Sequence, residues 1–289
     1  MDSGRILREA GLRPRKGLGQ NFLVDPTVPA RIAAAADLAP ADRVVEVGPG
    51  LGVLTEELAR RLDPQQGCLV AVELDESLLP LLRERMAAYP QFHLVQGDVL
   101  DLAPATLLNA CGTPDAPYRV VANLPYYITS AVLRHFLSAA HPPNRMVVMV
   151  QREVALRIVA APPEMSLLAV SVQFYGVPRI VLRVPPGAFH PPPKVESAVV
   201  RVDVYPPDAR PVAVADEARF FTVARAGFGQ KRKQLANSLA DGLRLPKALV
   251  LDRLAQAGIA GTRRAETLTL AEWATLSVVL PATSEGETT

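Results

Sequence analysis

Short apolar runs alternate with amphipathic stretches through the first half of the chain. Arg43–Val47 reads as a strand ending in the glycine loop GPGLG, and Val53–Leu62 as an amphipathic helix closed by Asp63-Pro64. Cys68–Leu74 is a second apolar strand that ends in acid, followed by a helix over Glu76–Met86. Phe92–Val95, Tyr118–Ala122 and Met146–Val150 read as three more strands, with helices over Thr129–Leu137 and Arg152–Ala161. Before them, an alanine-rich helical stretch from Pro26 to Asp37 stops near Pro40. Strands alternating with helices imply a parallel sheet with crossover helices on both faces.

The pattern changes in the second half. Ser166–Tyr175 fits a strand or a helix. Val181–Val184 and Ala198–Val204 read as strands joined by a proline-rich connection, and Tyr205-Pro206-Pro207-Asp208 as a linker. Residues 215–280 are helical in pattern, with breaks at Gly242–Pro246 and Gly258–Gly261. The expected organisation is an α/β domain over 1–207 and a small all-α domain over 208–289. The tail SEGETT is expected to fray.

Composition narrows the function classes. Of 289 residues, 49% are hydrophobic and 21% charged, so a packed core is affordable and wholesale disorder is not expected. A net charge of +2 neither demands nor excludes nucleic acid; a binding face has to come from local clustering. Cys68 and Cys111 make no disulfide framework or zinc set and are expected to be reduced thiols. The four histidines lack metal-ligand spacing, and no metal is expected. No apolar run reaches membrane-helix length, and the basic N-terminus lacks a signal-peptide core. A soluble, cytoplasmic protein is the expectation.

The polar motifs fall at strand ends. Gly48–Gly52, Glu73, Asp98 and Asn123 each follow a separate strand, and ligands of such sheets sit at the carboxyl ends. In VVEVGPGLGVLT, Gly48, Gly50 and Gly52 permit a tight turn and close approach to a ligand. By itself this pattern also fits an ordinary turn. Glu73 can accept hydrogen bonds from both ribose hydroxyls; the competing reading is a helix N-terminal acid, a role Asp75 or Ser77 fills better. Asp98 can bind the adenine amine of the same nucleoside, or simply form a turn after Gly97.

Asn123-Leu124-Pro125-Tyr126 is the most specific motif, and it resembles that of amino-group methyltransferases acting on adenine. An aromatic exocyclic amine is a poor nucleophile because its lone pair delocalises into the ring. Acceptors at its two hydrogens draw the lone pair out. Asn123 can supply its side-chain oxygen, and a backbone carbonyl of Leu124-Pro125 a second, with proline fixing its direction. Tyr126 can stack on the base, with Phe189 opposite, held by the prolines of GAFHPPPKVESAVV; the competing reading of Phe189 is a core phenylalanine. Lys194 can meet phosphate. No general base is required, so catalysis would be positioning and desolvation.

The run E-x-G-P-G-x-G, with Glu46 before the loop, resembles the first motif of class I S-adenosylmethionine-dependent methyltransferases, whose fold is Rossmann-like. The motif NLPY resembles that of enzymes methylating adenine amines. Together with KGLGQNFLVD (16–25), AVELD (71–75), QGDVLD (96–101), VVANLPYYIT (120–129), MVQREVALRIVA (149–160), VPPGAFHPPPKVESAVVR (184–201) and AGFGQKRKQLANSL (226–239), these blocks resemble the ribosomal RNA adenine N6,N6-dimethyltransferase family of the small subunit (the KsgA type). The resemblance implies a methyltransferase domain plus a helical RNA-binding domain, with residues 1–26 contributing to the cofactor site. It implies that Asn21, Leu23, Gly48, Gly50, Glu73, Asp98 and Asn123 touch S-adenosylmethionine, leaving S-adenosylhomocysteine after transfer. It further implies that Asn123, Leu124, Pro125, Tyr126 and Phe189 frame the adenine. The implied product is two adjacent N6,N6-dimethyladenosines in a hairpin loop near the 3′ end of small-subunit RNA, within an immature subunit, made by a monomer.

Two blocks depart from the family pattern. The loop after ALRIVA reads PPEMSLLAVS where a Tyr-Gly pair is usual, and the basic block reads KRKQLANSL. Lys231, Arg232 and Lys233, with Arg225, Arg263 and Arg264, keep the charge for a phosphate-binding face. Two other readings share the fold: a resistance-type methylase of large-subunit RNA, and a non-catalytic assembly or transcription factor.

Overall fold

The computed structural model describes residues 13–281 together with Ile6 and Gly11. The SEGETT tail and most of the first twelve positions lie outside the described residues. Among the described residues, nine strands form two sheets: β1 (Phe22–Leu23), β2 (Arg43–Val47), β3 (Cys68–Glu73), β4 (Phe92–Gln96), β5 (Tyr118–Asn123), β6 (Arg145–Gln151), β7 (Gly176–Val184), β8 (Phe189–His190) and β9 (Ser197–Val204). The main sheet runs β4-β3-β2-β5-β6-β9-β7, parallel from β4 through β6, with β9 antiparallel to β6. Strand order reverses between β2 and β5. The crevice outside their carboxyl ends is therefore the topological switch point at which such sheets bind ligands.

The central strands are largely apolar because both faces are covered, with Glu46 the buried exception in β2. VVEV, CLVAV and RMVVMV bury every residue but those at their ends. The covering helices are α1 (Thr27–Ala36), α2 (Val53–Ala59), α3 (Leu79–Met86), α4 (Pro104–Leu108), α5 (Thr129–Leu137) and α6 (Arg152–Ile158). Ile32, Ala33 and Ala36 of α1 and Leu58 and Ala59 of α2 pack on Val44, Leu69, Val121 and Val147 in one core. The helix expected over Glu76–Met86 starts with a 3-10 turn capped by Asp75, whose side chain accepts from the Ser77 N–H. A short helical segment over 104–111 was not legible in the sequence.

Residues divide into two compact units, 1–156 with 177–204, and 157–176 with 205–289. The division after Val204 stands three residues before the expected boundary, and 157–176 joins the second unit although the sequence reading had it in the first. The reason lies in packing. The ambiguous stretch forms α7 (Leu167–Gln173), and the following Phe174 stacks on Phe220 with ring centroids 4.8 Å apart. Phe220 belongs to α8 (Glu217–Phe228), which is followed by α9 (Leu235–Leu243), α10 (Lys247–Gln256) and α11 (Leu270–Val279). Trp273 is fully buried against Gly227; a Cβ there would stand 2.3 Å from its ring, so only glycine admits this α8–α11 contact. Arg210 lies over both Phe174 and Tyr175, 5.0 Å from each ring centroid.

Cys68 and Cys111 form a disulfide, correcting the expectation of two reduced thiols. Cys68 opens β3 and Cys111 ends the helical segment that the sequence did not reveal. Their Cα atoms stand 5.8 Å apart, which spacing in sequence cannot show.

Candidate active site

The glycine turn after β2 opens the site. Gly48 has φ +67° and a Cβ on it would meet nothing within 4 Å, so its Cα faces open space in the crevice. Gly50 has φ +57° and stands against Phe22; a Cβ would lie 3.2 Å from that ring. Glycine is needed at both for conformation, and at Gly50 also for space. The Gly48 N–H donates to the Val72 carbonyl (2.9 Å), seating the turn on the next strand.

Glu73 ends β3 and is 6% exposed. Its Oε2 accepts from the Gly50 N–H (3.1 Å) and its Oε1 from the Asp75 N–H (2.8 Å). Burial pushes its pKa up, opposed by these backbone donors. Each oxygen keeps a further lone pair for a ligand. Asp98 forms the turn considered for it. Its Oδ1 accepts from the Leu100 N–H (2.9 Å), and Oδ2 has no partner among the described residues.

Glu46, 1% exposed, lies beneath the turn, and its Oε2 has no hydrogen-bond partner among the described residues. Burial pushes its carboxyl up to about 8, the neighbouring Thr55 hydroxyl opposing and the Glu73 charge adding to the rise.

Residues 18–23 form one wall. Gln20 donates to Asp75 Oδ2 (2.8 Å), Arg15 pairs with Asp75 Oδ1 (3.1 Å), and β1 pairs with β8. Asn21 and Leu23, which the family resemblance alone had suggested, line the cavity here together with Leu18, Gly19, Gln20 and Phe22. Leu74 and Val99 also line it; sequence reasoning assigned them no role, although each directly follows an assigned acid.

The NLPY turn closes the site. Asn123 Nδ2 donates to the Asn21 carbonyl (3.4 Å), and its Oδ1 has no partner among the described residues. The Leu124 N–H donates to the Met149 carbonyl (3.2 Å), and the Pro125 carbonyl accepts from Ile128 (3.2 Å). The Leu124 carbonyl is thus the turn's remaining backbone acceptor. Tyr126 is held from behind: its hydroxyl shares a 2.7 Å hydrogen bond with buried Ser197.

Gly48, Gly50, Glu73, Asp98, Asn123, Leu124, Pro125 and Tyr126 line one cavity. Phe189 does not. At 4% exposure it belongs to the same core cluster as Leu23 and Val28, and its β8 backbone pairs with β1. Of the basic residues, Lys194, Arg225, Lys231, Arg232, Lys233 and Arg264 are exposed. Lys233 pairs with Asp241 (3.0 Å), Arg264 stands 3.8 Å from Glu266, and Arg225 donates to Thr222 (3.1 Å). Arg263 is half-buried, grips both carboxylate oxygens of Glu272 and donates to the Thr267 side chain and carbonyl. It fastens the capping box of α11 rather than offering a free charge.

The family model for ribosomal RNA adenine dimethylase matches residues 11–280. The chain is 53% identical to ribosomal RNA small subunit methyltransferase A of Dehalococcoides mccartyi over 93% of this chain and 89% of that protein. Identity to the protein of the same name from Moorella thermoacetica is 43%, over 95% of each. Among solved structures, the 23S rRNA methyltransferase ErmE is 30% identical with TM-score 0.68, covering 90% of this chain and 99% of that one. A dimethyladenosine transferase from Plasmodium falciparum, 22% identical, shares the fold at TM-score 0.72, covering 88% and 95%. With the family model spanning nearly all of the described chain, this protein belongs to the ribosomal RNA adenine dimethylase family.

Proposed function

We propose that this protein transfers methyl groups from S-adenosylmethionine to the N6 amines of two adjacent adenosines in a hairpin loop near the 3′ end of small-subunit (16S) ribosomal RNA. It acts as a cytoplasmic monomer on an immature small subunit. The observation that carries the reading is one cavity with two kinds of wall. Gly48, Glu73 and Asp98 offer a nucleoside its ribose and amine partners, while Asn123-Leu124-Pro125 offers an amine two acceptors.

S-adenosylmethionine, when bound, supplies an electrophilic methyl group on a sulfonium, and S-adenosylhomocysteine is left. The residues present fit it: Gly48 leaves open space that would admit the amino-acid end, Glu73 would hold the ribose, and Asp98 Oδ2 is unpartnered among the described residues. Asn123 Oδ1 and the Leu124 carbonyl accept the two hydrogens of the target amine and turn its lone pair toward the methyl group. Tyr126, braced by Ser197, forms the wall beside the base. The acceptors are fixed before substrate arrives, so they cost no reorganisation during transfer. The product ammonium loses its proton to water, and a second round needs only room for one methyl. The transfer needs no metal, because the sulfonium is already the electrophile.

The 53% identity to a small-subunit methyltransferase, against 30% to a large-subunit one, favours the small-subunit substrate. The open acceptors in the cavity favour a working enzyme over a purely binding role. Incubation with labelled S-adenosylmethionine and unmethylated small subunits, large subunits or duplex DNA tests this. Label confined to small-subunit RNA is expected. Label in large-subunit RNA supports the resistance-type reading, and no transfer despite cofactor binding supports a binding role.

A further inference from the structure

Tyr127 follows the base-framing motif, lines the mouth of the same cavity and is 62% exposed. It is among the most exposed large apolar side chains described. Its setting is built. A Cβ placed on Gly19 would lie 3.4 Å from Tyr127 Cδ1 and 3.5 Å from Cε1, with Pro125 Cβ 3.7 Å away. The ring thus lies beside the Gly19 backbone and Pro125, supported on one side and open on the other. Gly19 has φ +62°, a conformation that suits glycine and keeps this side of the ring free of a side chain.

Tyr126 and Tyr127 cannot serve the same base. They are consecutive in the 3-10 turn Tyr126–Ile128, where three residues complete a turn and neighbouring side chains diverge by about 120°. Tyr126 is turned inward, with its hydroxyl on Ser197. Tyr127 is turned outward, and its hydroxyl has no partner among the described residues. An open ring beside a pocket for one base fits the next base of the same strand, which must leave the cavity at its mouth.

Resting on the function proposed above, we infer that Tyr127 is a stacking platform for the nucleotide adjoining the target adenosine. It holds the strand while the target enters the pocket. Because stacking tolerates any base, one ring serves whichever of two adjacent adenosines lies outside.

The test uses the full chain with Tyr127→Ala and Tyr127→Phe, and small subunits carrying either the native sequence or an abasic residue beside the target. On native subunits, Tyr127→Ala is expected to lower kcat/KM for RNA on the order of 10-fold, chiefly through KM. Tyr127→Phe should restore it, and affinity for S-adenosylmethionine should not change, which reports an intact cavity. On abasic subunits the wild type should fall to the level of Tyr127→Ala, and the two should coincide. A Tyr127→Ala penalty that persists on abasic subunits overturns the inference, as does an alanine variant within twofold of wild type on native ones. Absence of transfer by the wild type itself would instead overturn the functional reading.

Discussion

Glu73 Oε2 accepts a hydrogen bond from the Gly50 N–H at 3.1 Å, joining the acid at the end of β3 to the glycine turn after β2. The two motifs therefore act as one device. The turn needs the carboxylate to satisfy its N–H, and the carboxylate needs the turn to stay aligned while buried.

Replacing Glu73 by alanine removes the proposed ribose acceptor and leaves the Gly50 and Asp75 N–H groups without their partner. Affinity for S-adenosylmethionine should fall about 100-fold, the worth of roughly 3 kcal/mol for hydrogen bonds to a charged group. Calorimetric titration measures it, with thermal melting as the check on folding. A Kd within threefold of wild type in a folded variant would remove Glu73 from the cofactor site.

Glu46 makes stability depend on pH. Its folded-state value of about 8 lies above the ordinary 4.5, so its contribution is fully present below pH 4.5 and is lost as pH rises through about 8. Glu46→Gln is neutral at every pH and escapes this loss. Melting of the cofactor-free protein should show the variant gaining on wild type from about pH 5 to about pH 9, by up to roughly 4 kcal/mol. Parallel curves would place a charged, solvated carboxylate at this position instead.

The Cys68–Cys111 bridge closes a loop of 43 residues. By the chain-entropy account, a loop of that length stabilises the native state by about 4 kcal/mol. Denaturant melts with and without reductant should differ by that order, and thiol labelling of the unfolded, unreduced chain should find none free. Two reactive thiols without reductant would contradict the bridge.

Charges that looked alike in sequence should behave differently. Lys231 and Arg232 are exposed, and no described residue pairs with them. Neutralising either should reduce the salt dependence of RNA binding by about one unit of slope. Arg263→Ala should instead cost stability, about 1–3 kcal/mol, because it strands Glu272 and loosens the start of α11. Binding at graded salt, paired with melting, separates the two. A lower slope with unchanged stability in Arg263→Ala would return that residue to the RNA-binding face.

Where local pattern and covalent spacing decide structure, the sequence was readable. The core strands are mostly apolar runs, each followed by Gly48, Glu73, Asp98 or Asn123 at or just past its end, so the rim of the sheet could be drawn without coordinates. What escaped were contacts between distant segments. Phe189 sits beside histidine and prolines and looks like a loop aromatic, yet pairing of β8 with β1 buries it. Cys68 and Cys111 approach only because the short helix at 104–111 returns to the start of β3. Arg263 stands beside Arg264 in sequence, but only Arg263 meets Glu272, nine residues on. The N-terminal wall carries only weak periodicity, and the resemblance of QNFL alone pointed to it.

The most direct test of the central claim is the identity of the modified nucleoside. Small subunits from a strain lacking this modification are incubated with the protein and S-adenosylmethionine, and their RNA is digested and resolved by mass spectrometry. N6,N6-dimethyladenosine at two adjacent positions is the predicted product, lost when Asn123 is replaced by alanine. Methylation confined to another base, or adenosine left unmodified by a protein that binds both cofactor and subunit, would contradict it.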